Sequence, residues 1–114
     1  MAAGNLNINV EQGATYSQTL TWRIDNALVN LTGYTARMQV REDVTSSSTI
    51  LSLTQAAGLT LGGAAGTIVI ALNATETAAL VSGNYVYDLE LASSGGVVTR
   101  LVQGNFDISP EVTR

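Results

Sequence analysis

Nine carboxylates, five arginines and four tyrosines supply the ionisable side chains of this chain; histidine, cysteine and lysine are absent. That inventory removes the usual general bases, thiol nucleophiles and Ser-His or Cys-His pairs before any spacing is considered. What remains is carboxylate chemistry. Asp88 and Glu90 are two positions apart in an alternating segment, which puts both on one strand face. Paired carboxylates serve glycosidic acid–base catalysis, but on an open strand face they read as solvated or salt-paired. Glu42-Asp43 opens a Ser/Thr-rich loop and lacks the spaced ligands of a dedicated calcium loop. Gly62 to Gly66 is followed by neither helix nor lysine and is no phosphate cradle. Trp22 and the tyrosines offer a sugar-binding platform, yet Trp22, Tyr85 and Tyr87 fall on apolar faces and read as core. No enzyme, metal site or cofactor is expected.

The elements that position these groups are two alternating segments. In Leu31-Thr32-Gly33-Tyr34-Thr35-Ala36-Arg37-Met38-Gln39-Val40-Arg41, Tyr34, Ala36, Met38 and Val40 face one way and Arg37, Gln39 and Arg41 the other. In Gly83-Asn84-Tyr85-Val86-Tyr87-Asp88-Leu89-Glu90-Leu91, Tyr85, Tyr87, Leu89 and Leu91 face inward, and Val86, Asp88 and Glu90 outward. One strand carries cations on its open face and the other carries anions. Opposite charges across neighbouring strands are favourable, so the two are expected to pair antiparallel, with Arg37 or Arg41 across from Asp88 or Glu90.

At 114 residues the chain, residues 1–114, is one domain with room for one core. Charged residues make up 12% of it, about half the usual share. A surface so weakly charged suits a subunit covered by neighbours, the alternative being a monomer with a Thr/Ser-rich β surface. The net charge of −4 disfavours nucleic acid and anionic membranes as partners. The first ten residues have neither a cationic segment nor an apolar core, so a cytoplasmic origin is expected. Asn30-Leu31-Thr32 and Asn73-Ala74-Thr75 match the glycosylation pattern but then have no bearing.

Residues 1–4 read as a loose end, and Leu6, Ile8 and Val10 as alternating positions of a first strand. Gly13 marks a bend where a strand crosses between sheets, followed by alternation at Leu20, Trp22 and Ile24. Asp25-Asn26 is a turn. Short strands follow near Leu28 to Leu31, Ile50 to Leu53, Leu59 to Leu61 and Gly66 to Leu72. Asn73 to Leu80 is the one helical signal, capped by Asn73 or Thr75. A four-residue turn, Ser93 to Gly96, closes the last hairpin. Its return strand places Phe106 and Ile108 on one face with Val98 and Val102. Leu101 is left on the other face, requiring a bulge or a covered face. Residues 109–114 read as a tail. Some seven or eight strands and one helical turn describe an all-β, immunoglobulin-like antiparallel β-sandwich. Its expected core is Leu20, Trp22, Ile24, Met38, Val40, Ile68, Ile70, Tyr85, Tyr87, Leu89, Phe106 and Ile108.

The two segments quoted above, with Gly-Thr-Ile-Val-Ile from Gly66, Ala-Thr-Glu-Thr-Ala-Ala-Leu from Ala74 and Gly-Asn-Phe-Asp-Ile-Ser-Pro-Glu-Val-Thr-Arg from Gly104, resemble small virion proteins of tailed bacteriophages. The resemblance runs from Gly13 to Arg114. It is to the β-sandwich family of tail-collar and fibre-cofactor proteins and the amino-terminal domain of some baseplate proteins. It implies a non-enzymatic structural subunit of the virion, present in several copies and joining or decorating parts of the particle through protein contacts. Its partners would be tail, fibre or head–neck proteins and further copies of itself. A head decoration protein of the same fold and a carbohydrate-binding adhesin are the alternatives; an adhesin should expose aromatic side chains. The candidate assembly residues are Arg37, Gln39, Arg41, Val69, Val86, Asp88, Glu90 and Leu101, polar or apolar groups on strand faces that would otherwise meet water.

Overall fold

The computed structural model describes residues 3–113; Met1, Ala2 and Arg114, the ends of the expected loose segment and tail, lie outside them. In chain order the strands are β1 (Gly4–Asn5), β2 (Ile8–Glu11), β3 (Tyr16–Thr21), β4 (Arg23–Ile24), β5 (Ala27–Leu28), β6 (Thr35–Arg41), β7 (Leu51–Thr54), β8 (Leu59–Leu61), β9 (Thr67–Leu72), β10 (Gly83–Ala92) and β11 (Val98–Ser109), with one helix, α1 (Ala74–Ala78), between β9 and β10. The front sheet has the order β1-β11-β10-β6-β7, with β2 also on β11; the back sheet is β3-β9-β8, and β4-β5 form a separate ribbon. This is an immunoglobulin-like β-sandwich, whose two sheets share one core.

The sandwich is not purely antiparallel. Both β1 and β2 run parallel to β11, with Gly4 opposite Val102 and Ile8 opposite Phe106. The amino-terminal segment runs along β11 in the same direction before Gly13, at φ +83°, turns it into the back sheet. Gly4 is therefore paired rather than part of the loose end, and Ser109 still belongs to β11, opposite Glu11.

Alternation decides the burial. Ala36, Met38 and Val40 from β6 and Tyr85, Tyr87, Leu89 and Leu91 from β10 are buried, as are Ile68 and Ile70 from β9 and Phe106 and Ile108 from β11. Each large side chain so buried contributes roughly 1.5–3 kcal/mol. Tyr87 and Phe106 meet edge to face with centroids 6.1 Å apart, as do Trp22 and Tyr34.

Two expected core positions, Ile24 and Leu20, differ, as does Val98, expected on the face of Phe106 and Ile108. Ile24 is 46% exposed because the chain leaves the back sheet after Trp22: the Trp22 N–H still donates to the Gly66 carbonyl, but its own carbonyl accepts from Val29, closing the β4-β5 ribbon. Asp25 and Asn26, at φ 51° and 68°, form the tip of that ribbon. Leu20 is only half-buried, since β3 is the edge of its sheet. Val98 is 52% exposed because the β10–β11 register shifts between Leu89, opposite Val102, and Glu90, opposite Arg100. Leu101 is the extra residue of that bulge.

The helix is a single five-residue turn with a complete capping box: Asn73 Oδ1 accepts from the Glu76 N–H at 2.8 Å, and Glu76 Oε1 accepts from the Asn73 N–H at 2.9 Å. Its Thr77 hydroxyl is fully buried and donates to the Ala14 carbonyl at 2.9 Å, tying the turn to the start of β3. Just beyond it, the Tyr85 hydroxyl donates to the Val81 carbonyl at 2.9 Å. A tyrosine at the start of this strand, bonded back to the preceding corner, is a recurrent device of immunoglobulin-like sandwiches.

Candidate functional site

The outer face of the front sheet carries the charged residues. Glu90 lies directly opposite Arg37 across the antiparallel β6–β10 pair, and Asp88 lies opposite Gln39. Arg37 Nη2 is 2.8 Å from Glu90 Oε1, with Nε donating to the same oxygen at 2.8 Å. The expected charge pairing is thus present for Arg37 and Glu90. Arg41 faces Val86 instead and, among the described residues, forms no ion pair; its guanidinium donates to Gln39 Oε1 at 2.9 Å and to the Ser46 carbonyl at 3.0 Å. Asp88 finds its cation on the other side, 3.4 Å from Arg100 Nε on β11. Beside Arg41, Asp43 accepts from the Thr45 hydroxyl and N–H, which hold its carboxyl below the usual carboxylate range.

These side chains line an open hollow of about 600 Å³ on that face. Arg37, Gln39, Arg41, Val86, Asp88 and Glu90 come together there, six of the eight candidate assembly residues. Val69 does not join them: it is on the back sheet, in register with Thr19 and Thr60. Leu101, placed by its bulge, packs against the core. Arg100, Gln103, Asn105 and Asn5 complete the rim and were not among the expected residues. Asn5 reaches it from β1, paired with Gln103, and Arg100, Gln103 and Asn105 reach it from β11, whose register depends on that bulge. The failed alternation at Leu101 was the one sequence signal pointing to it.

The hollow holds three arginines, 37, 41 and 100, and three acids, 43, 88 and 90, so its formal charge balances. Its acids are engaged by arginine or by Thr45. Among the described residues no three or more acidic side chains cluster closely enough to hold a metal ion.

Beneath the hollow, the Tyr87 hydroxyl donates to the Leu6 carbonyl at 2.6 Å. Burial, with a smaller contribution from nearby Tyr16, pushes the Tyr87 phenol up to about 12. The folded chain therefore holds this proton more tightly than the unfolded chain, whose tyrosines titrate near pH 10. The stabilisation is fully present below about pH 10 and decays as the pH climbs toward the folded value. Urea titrations should show the advantage of the wild type over Tyr87→Phe flat to about pH 10 and shrinking toward pH 12. A constant advantage across that window would contradict the assignment.

No protein-family model matches this chain, and no curated protein matches it significantly. Among solved structures it is similar to CopC from Methylosinus trichosporium OB3b (TM-score 0.49, 14% identity, covering 94% of this chain and 89% of that one). It is also similar to the extracellular domain of the voltage-gated sodium channel beta4 subunit (TM-score 0.45, 9% identity, 98% and 97% covered), described as parallel homodimers with a role in cell–cell adhesion. Domains 3–5 of Drosophila OTK give a TM-score of 0.40 at 13% identity, with 90% of this chain and 32% of that chain covered. These are backbone likenesses at low identity; the fold assignment stands on this chain's own strand order.

Proposed function

We propose that this chain is a non-enzymatic structural subunit of a tailed-bacteriophage particle. In that reading it is an adaptor or ring component of the tail, at the collar, baseplate or fibre attachment, and docks a neighbouring virion protein through the outer face of β6, β10 and β11. The observation that carries the docking surface is the gathering of six expected residues on one charge-balanced hollow. The link to phage particles comes from the sequence resemblance between Gly13 and Arg114. Against a carbohydrate-binding adhesin stands the placement of the aromatics: Trp22, Tyr85, Tyr87 and Phe106 are buried, and Tyr16 and Tyr34 are half-buried. A head decoration protein would use the same face, and the choice between tail and head rests with the partner.

The test pairs the purified protein with tail, fibre, head–neck and capsid components. Arg37→Glu breaks an ion pair whose arginine side chain is 63% exposed, so it should cost at most about 1 kcal/mol of stability. The same change sets two acids side by side in the hollow. It should weaken binding of the cognate component by about tenfold, or 1.4 kcal/mol. Unchanged binding by a folded Arg37→Glu protein would remove this face from the interface.

A further inference from the structure

The back sheet ends in an edge with none of the usual protection. Among the described residues no strand pairs with the far side of β3, because the amino-terminal strands pair with β11 instead. At six residues β3 is the longest such edge; β7 has four and β8 three. The Trp22 N–H donates to the Gly66 carbonyl at 2.8 Å. Bonded and non-bonded pairs alternate along an antiparallel ladder. Leu20, Gln18 and Tyr16 are therefore the residues bonded to β9, while Ser17, Thr19 and Thr21 turn their N–H and C=O groups toward the open side. Edges of this kind are ordinarily blocked by lysine, proline or a bulge. None is present here, and no charged residue occurs between Glu11 and Arg23.

We propose that β3 is the seam of a symmetric dimer, in which β3 of a second copy of this chain adds antiparallel and joins the two back sheets into one of six strands. The proposal rests on the reading of the chain as an assembly subunit and names one of its contacts. A second copy is favoured over a different partner by charge. Across a twofold axis each residue near the axis meets its own copy, so a charged edge repels itself. This edge is neutral along its whole length. Centred on Thr19, the pairing sets Thr19 opposite its copy, Ser17 opposite Thr21 and Gln18 opposite Leu20. Hydroxyl pairs on the outer face are a favourable cross-strand combination. On the inner face, Tyr16 and Leu20 are half-buried only because the sheet stops there; a second β3 covers both.

Because the chain has no cysteine, one introduced thiol reports the seam. Directly opposed hydrogen-bonded residues have Cα atoms about 5.5 Å apart, within disulfide reach. Thr19→Cys should form a disulfide-linked dimer under mild oxidation. Its rate should exceed that of Thr60→Cys, another exposed threonine, on β8, by about tenfold or more because pairing raises the effective concentration. The wild type should sediment as a dimer at high micromolar concentration. A wild type that stays monomeric, or a Thr19→Cys chain that crosslinks no faster than Thr60→Cys, would overturn the proposal. Both readings use the purified protein alone. Failure here thus leaves the docking face of the front sheet untouched, and failure of partner binding leaves the dimer untouched.

Discussion

Trp22→Ala is expected to destabilise the protein by about 3–5 kcal/mol, a large share of what a domain of this size has. Trp22 is 7% exposed and closes the end of the sandwich where β3 gives way to the β4-β5 ribbon. It packs edge to face on Tyr34, and its backbone holds both Gly66 and Val29. Alanine leaves a cavity that these backbone hydrogen bonds prevent from collapsing. Urea unfolding followed by circular dichroism measures the loss. The indole Nε1 is buried with no hydrogen-bond partner, which carries its own desolvation cost. Trp22→Phe should consequently lose much less than Trp22→Ala. Wild-type emission should be blue-shifted from that of free indole. Emission like free indole, with a small loss for alanine, would restore an exposed aromatic platform.

Gly104→Ala is expected to cost about 3 kcal/mol, from overpacking together with a lost buried hydrogen bond. At this point the amino-terminal segment passes from β1 to β2 along the edge of β11, and Leu6 turns its carbonyl out of the ladder toward the Tyr87 hydroxyl. Asn7 Oδ1 accepts the Asn105 N–H in place of a ladder partner. A Cβ at position 104 would collide with the Leu6 carbonyl oxygen and lie 2.9 Å from its carbon, both backbone atoms that cannot rotate away. The segment must lift, and the Tyr87 bond goes with it. Gly95→Ala, whose Cβ would find only Ser93 Oγ at 3.9 Å, should change stability by less than about 0.5 kcal/mol. Equal urea midpoints for the two variants would show that the close approach is not structural.

The difference between these two positions marks what sequence can reveal here. Trp22 reads as core because alternation through Leu20 and Trp22 is a local property of one strand. The same locality made the β6–β10 pairing legible but not its register: alternation and opposite outer charges left Arg37 or Arg41 across from Asp88 or Glu90, and in the fold Arg37 meets Glu90. Gly104 carries no such signal. Its role comes from Leu6, which is distant in sequence and brought close by a parallel pairing that no turn between the strands dictates. Ile24 kept the alternation of Trp22 but not its burial, because the chain left the sheet for a ribbon. In the hollow, the β6 and β10 residues were legible for the reason just given. Arg100 was not, because a single extra residue at Leu101 decides which way every earlier residue of β11 points.

We propose that this chain joins parts of a phage particle through the outer face of its front sheet. Electron cryomicroscopy of the particles that carry it tests this most directly. The account predicts several copies of the sandwich at a tail junction, with Arg37, Asp88 and Glu90 against a neighbouring protein. Particles that lack the chain, or a copy whose β6-β10-β11 face looks out to solvent in every position, would contradict it.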